Sequence, residues 1–173
     1  MTEDTNEMDS NPDVVVDKVE TPTIKIQDTI EAHNTHIKNV DGYISRIISE
    51  LRLRGANHDK SKNQEPELSI FATMNTKLKD LEYGSEEYKE SLKKLGPALD
   101  HHYANNRHHP EHFKNGISDM DIVDLVEMLC DWKAASQRHN TGNIQKSIEL
   151  NAERFGMCDQ LVSIFENSTK FLD

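Results

Sequence analysis

Five imidazoles fall within residues 101–112 (His101, His102, His108, His109 and His112), out of nine histidines in a chain of 173 residues. Histidine is both the commonest metal ligand and the side chain that exchanges protons near neutral pH. The tract has two readings. Either His101 or His102 converges with His108 or His109 on a metal or a substrate phosphate, or the tract is a polar loop with incidental metal affinity. Upstream, His58 is followed at once by Asp59, a mixed nitrogen–oxygen pair that suits Mn, Fe, Co, Ni, Zn or Mg. Further upstream His33 and His36 stand three residues apart, near one face of a helix; the competing reading makes them core or boundary histidines. Downstream, Asp124, Glu127 and Asp131 share one helical face, which could be a solvated acidic surface. However, Asp131 stands between Cys130 and Trp132, residue types that favour burial, and a buried carboxylate is costly unless it meets a cation or metal. Finally, Arg52, Arg54, Lys60 and Lys62 flank the His-Asp pair. Such a patch suits a phosphoryl group, although a helix C-terminus alone accounts for Arg52 and Arg54.

Helices must position these groups. Ile30, Ile37, Val40, Ile44, Ile47, Ile48 and Leu51 recur at helical spacing and predict an amphipathic helix over residues 28–54, closed by Gly55. A second helix is expected after Pro66, carrying Leu68, Ile70, Phe71 and Met74. A third starts near Ser85, with Glu86 and Glu87 in its first turn, and Gly96-Pro97 interrupts it and restarts a turn into the histidines. Further helices are expected over 119–138, 143–154 and 159–167. No segment alternates with period two for long, so the expected class is all-α: a compact multi-helix bundle over residues 28–173. Residues 1–27 hold seven acids and two bases, hence −5 of the net −11. They read as a disordered acidic leader, in which Val14–Val16 could dock as an edge strand.

Composition removes several classes. No run of about 18 apolar residues is present, so no membrane span is expected. The acidic start lacks the basic and apolar regions of a signal peptide, and two cysteines do not make a disulfide framework; both predict a cytoplasmic location. An excess of acid argues against duplex nucleic-acid binding. The histidine spacing is not that of a zinc finger, and Cys130 and Cys158 stand in the wrong places to help.

The order His, His-Asp, His/His, Asp on consecutive helices resembles the HD-domain superfamily of metal-dependent phosphohydrolases. The matching residues are His36, His58-Asp59 with Lys62 in the place of the HDxxK lysine, and Asp131. The stretch from about Thr35 to Thr169 also resembles a phage and bacterial family of small helical proteins of uncharacterised activity, through HDKSK, Glu67, YGSEEY, HHYANNRHHPEHF, EMLCDWKAASQR and SIELNAERF. The superfamily resemblance implies a divalent metal held by His36, His58, Asp59 and Asp131, with His102 and His109 holding a second ion. It implies hydrolysis of a small phosphorylated substrate, a nucleotide or nucleotide-derived phosphoester, by a water acidified on the metal. Lys62 and Glu67 are the expected catalytic residues, Glu67 moving a proton, and Arg107 and Lys60 the expected phosphate-binding ones. The HD loop departs from the superfamily in lacking the apolar residue and glycine after Asp59. The rival reading is a non-catalytic helical module that holds a metal or nucleotide and acts through a protein partner.

Overall fold

The computed structural model describes residues 22–79, 86–138 and 142–172. All regular structure among them is helical: α1 (Pro22–Asn57), α2 (Glu67–Lys79), α3 (Glu86–Lys93), α4 (Gly96–Asn105), α5 (Ile122–Ser136), α6 (Ile144–Phe155) and α7 (Asp159–Ser168). Short 3₁₀ turns lie at Lys60–Asn63, Pro110–His112, Gly116–Asp119 and Thr169–Phe171. The expected all-α class is therefore what the chain adopts. Residues 1–21, with Val14–Val16, and residue Ser85 lie outside the described residues.

Backbone contacts divide the chain into two units, Met1–Tyr43 and Ile44–Asp173. In the first, the described part is α1 from residue 22. The helix thus starts six residues before the expected position 28, with residues 22–27 of the supposed leader inside it. Its apolar residues do not enter a core: Ile26, Ile30, Ile37 and Val40 are all exposed. At the other end α1 runs through Gly55 to Asn57, so Gly55 is a helical residue and not the stop. The break falls at Asp59, whose φ of 56° and ψ of 17° are left-handed, a region that Asp enters more readily than most side chains.

In the second unit the apolar core is built by α5, α6 and α7. Met128, Leu129, Ile144, Ile148 and Phe165 are buried together, and Trp132, Leu125 and Leu161 pack against them. α5 starts in a capping box: the Asp121 carboxylate accepts from the amides of Val123 and Asp124, while the Asp124 carboxylate accepts from the amide of Asp121. This satisfies amides that the first turn would otherwise leave bare. α6 starts at Asn143, whose side chain caps Gln145, and ends at Gly156 with φ 62°, the left-handed residue that closes many helices. A second layer packs α2 against α4, with the Lys60–Asn63 turn on both. No helix among the described residues is long and apolar enough to cross a membrane.

Ile148 is fully buried at the centre of the α5–α7 core. Ile148→Ala is expected to cost about 2–5 kcal/mol through lost burial and the cavity left behind. In urea the unfolding midpoint should fall with an unchanged slope; a loss under about 1 kcal/mol would mean that α6 does not carry this core.

Candidate metal centre

Three segments of the second unit bring the chemistry together. The left-handed turn after α1 presents His58 and Asp59, the end of α4 and the loop after it present His102, His108 and His109, and α5 presents Asp124, Glu127 and Asp131. Ligand atoms of Asp59, His102, His108 and His109 form one group in which all lie within 4.8 Å of one another, and His58, Asp59 and Asp131 form another. In the first, Asp59 Oδ1 is 3.3 Å from His102 Nε2 and 3.6 Å from His108 Nε2, and His102 Nε2 is 2.9 Å from His109 Nε2. In the second, His58 Nε2 is 3.5 Å from both Asp59 Oδ2 and Asp131 Oδ1. Asp59 therefore offers one oxygen to each group.

Buried carboxylates hold the rings from behind. Glu67, fully buried at the start of α2, accepts from His102 Nδ1 at 2.9 Å and from His101 Nδ1 at 2.7 Å. Glu127 Oε1 accepts from His58 Nδ1 at 2.9 Å and faces His108 Nδ1 at 3.2 Å. An ionised carboxylate only accepts, so the ring nitrogen facing it carries a proton, and in a neutral ring Nε2 then keeps its lone pair. At His58 a bound ion would have to displace a second proton from Nε2, which faces Asp131. Carboxylates in this position fix tautomer and orientation in metal-binding histidines. Glu127 is itself held by Arg54 Nε at 2.8 Å, and Asp124 is clamped by Arg54 and by Arg107, whose Nη2 lies 2.8 Å from Asp124 Oδ2.

Electrostatics favour an added cation. Five carboxylates (Asp59, Glu67, Asp124, Glu127 and Asp131) meet three permanent cations, Arg54, Lys62 and Arg107, and the His58 imidazolium, leaving an excess of one negative charge. Hydrogen bonds to Asp131 and Glu127 raise the His58 pKa to about 10, against its partial burial. Burial pushes the Glu127 carboxyl up, but hydrogen bonds from His108, His58 and Arg54 outweigh it and hold the group well below its ordinary value. Burial, with His108 and His102 alongside, pushes His109 down to about 3, which keeps it neutral and able to ligate. Two buried atoms of the first group, Asp59 Oδ1 and His108 Nε2, have no hydrogen-bond partner. Unpaired buried polar atoms cost about 1–3 kcal/mol, and these two lie within one group with two further donors, His102 and His109. The cluster fits a metal ion.

Of the residues expected from the sequence, His58, Asp59, His102, His109 and Asp131 come together, and His108 joins as the neighbour of His109. His33 and His36 are exposed on α1 and belong to none of the groups. Lys62 reaches the site, its Nζ 2.5 Å from Asp59 Oδ2. Lys60 is exposed and donates to Asn57 Oδ1. Arg107 is committed to Asp124, so it braces α5 rather than facing a phosphate. Glu67 lies behind His102 and His101, where it orients rings. His112 turns aside, its Nδ1 on the carbonyl of Tyr103. The expected burial around Asp131 is only partial, since Cys130 is exposed. Glu127, Asp124 and Arg54 were missed as a supporting lattice. Their signal was present: Asp124 and Glu127 occur on the face of Asp131, and Arg54 is four residues before His58.

Two openings reach the cluster. A slot of about 460 Å³ lined by Leu51, Gly55, Val126, Cys130 and Ala134 ends at His58 and Asp131. A wider cleft of about 620 Å³ ends at His102 and His109 and is lined by Lys62, Arg138, Phe71, Tyr103 and Leu68. The second is cationic and aromatic, and no carboxylate lines it.

Comparison with known proteins found no match among curated proteins and none among solved structures. One family profile does match, over residues 25–172, which is most of the chain. The chain belongs to that family, described as a family of unknown function (DUF5662).

Proposed function

We propose that this protein is a metal-dependent phosphohydrolase of HD type, acting on a nucleotide or nucleotide-derived phosphoester. The observation that carries the reading is that Asp59 turns its two oxygens to two adjacent donor groups. His102, His108, His109 and Asp59 are suited to one divalent ion, and His58, Asp131 and Asp59 to another. Mixed imidazole and carboxylate ligands suit Mn, Fe, Co, Ni or Zn. Bound divalent ions supply Lewis acidity toward a phosphoryl oxygen and acidify a water enough for it to attack at neutral pH.

The chain's own residues do the rest. Glu67 and Glu127 hold the ring protons on Nδ1, so the opposite nitrogens are the ones turned to an ion, His58 giving up its second proton to it. Lys62 sits at the boundary between Asp59 and the wide cleft and can shift its charge to an incoming phosphate. Arg138, two residues past the end of α5, is the second cation of that cleft, the role expected of Arg107 and Lys60. Phe71 and Tyr103 offer flat apolar surface to a base, as aromatic side chains do for nucleotides.

Phosphate release from a panel of nucleoside mono-, di- and triphosphates and phosphodiesters, with Mn²⁺, Fe²⁺ or Zn²⁺ added, tests this. Wild type should turn over at least one class, and Asp59→Asn none. Arg138→Gln is expected to raise KM about tenfold with a smaller change in kcat, as for lost ground-state contact to an anion. A metal-loaded wild type that releases no phosphate from any class would favour the non-catalytic module instead.

A further inference from the structure

The first helix carries a feature that the metal centre does not use. Written as heptads with Ile30 at position a, the a positions are Ile30, Ile37, Ile44 and Leu51, and the d positions are Ile26, His33, Val40 and Ile47. Seven of these eight are apolar, and the same spacing holds from residue 26 to residue 51. Positions b, c and f between them are mostly polar or charged, among them Glu31, Lys38, Ser45 and Arg52. Except for the half-buried Leu51, the apolar a and d residues do not face a core. Ile26, Ile30, Ile37, Val40, Ile44 and Ile47 are between 41 and 59 % exposed. Scattered exposed apolar residues are normal, but a contiguous stripe of this kind marks an interaction surface.

A seven-residue repeat of this kind is the pattern that lets one α-helix pair along its length with another of the same period. The flanking positions say which partner. In a parallel, in-register pairing, each g residue faces the e residue of the following heptad on its neighbour. That places His36 beside Asp41, Thr29 beside Asn34, and Tyr43 beside Ile48. The His36 imidazole meets a carboxylate, polar meets polar and apolar meets apolar, and no like charges oppose. We infer that α1 is a self-association helix, joining this chain to further copies of itself in a parallel, in-register coiled coil. Isoleucine at both a and d shifts the preference from two strands toward three or four, and a single polar core residue, His33, sets the register. The inference is independent of the reaction proposed above, because none of these residues is a candidate ligand, and only Leu51 lines an opening to the metal centre.

Sedimentation velocity on the full-length protein at micromolar concentration tests it. Wild type should sediment with the mass of at least two chains. The double variant Ile37→Glu/Ile44→Glu should sediment as one chain, with unchanged helicity and unchanged metal content, since both side chains are exposed. In a Cys130→Ser/Cys158→Ser background, Val40→Cys should cross-link between copies on mild oxidation, because equivalent d positions meet only in the parallel, in-register arrangement. A single-chain mass for wild type overturns the inference, and so does a double variant that remains assembled. Assembly that appears only on changing Val14, Val15 and Val16 to Ser also overturns it, by showing that the chain's own leader covers the stripe.

Discussion

Asp59→Asn is expected to strip the protein of metal while leaving it folded. Asp59 is the residue common to both donor groups, with Oδ1 near His102 and His108 and Oδ2 near His58. Its loss damages each group, and the effect should exceed the roughly 10–100-fold loss of affinity typical of changes behind the ligands. Asn is the right replacement because residue 59 has φ 56°. Among side chains other than glycine's, Asn tolerates that region about as well as Asp does. Elemental analysis of protein purified without chelator should find one or two transition-metal ions per wild-type chain and almost none in the variant. Asp131→Ala should behave differently, because Asp59, His102, His108 and His109 remain, and about one ion should stay. Full metal content in Asp59→Asn would place the ion elsewhere and remove the basis for a hydrolase.

Asp124→Ala should give the largest loss of stability of any single change in the centre. The Asp124 carboxylate is fully buried and serves three neighbours at once: Arg54, Arg107 and the amide of Asp121 at the start of α5. Removing it leaves the mostly buried Arg54 guanidinium with Glu127 alone and takes away the acceptor of the Asp121 amide, the reciprocal half of the capping box, while Asp121 still caps the helix. Breaking a buried pair by deleting one partner costs about 3–5 kcal/mol. Arg107 is 43 % exposed, so solvent offsets most of its share and the Arg54 side dominates. Denaturant unfolding should show the loss, against a change within about 0.5 kcal/mol for the exposed Glu149→Ala. Equal effects of the two substitutions would return Asp124 to the status of a solvated acid.

Much of this was legible in the sequence because the signals were local. Helix positions followed from apolar spacing and from Pro66, Gly96-Pro97 and the acidic first turn at Glu86, and α2 through α7 lie within a few residues of where these put them. The end of α1 was misplaced because Gly55 looks like a stop, whereas the break comes from the unusual backbone of Asp59, which nothing in the chain announces. His58 and Asp59 were visible as an adjacent nitrogen–oxygen pair, and Asp131 as a carboxylate between Cys130 and Trp132. The partners of Glu127 and Asp124 were not, since a carboxylate on a helix face looks the same whether it meets water or a guanidinium seventy residues away. Arg107 and Lys60 were chosen for charge alone, but charge does not say where a long side chain ends. The stripe on α1 was legible as a helix, while its exposure could be learned only from the structure.

The same long reach has a kinetic meaning. The contacts that brace the centre join residues far apart in the chain: Arg54 to Asp124 and Glu127 across 70 and 73 positions, and His58 to Glu127 across 69. Contacts of such separation form only after the intervening loop entropy has been overcome, later than helices, which form from neighbours. Arg54 and Arg107 are paired with Glu127 and Asp124 and need no ion to do so. A metal ion bound here would accordingly enter a finished socket instead of nucleating one, and adding Mn²⁺ or Zn²⁺ to the refolding chain should leave the folding rate unchanged while slowing unfolding.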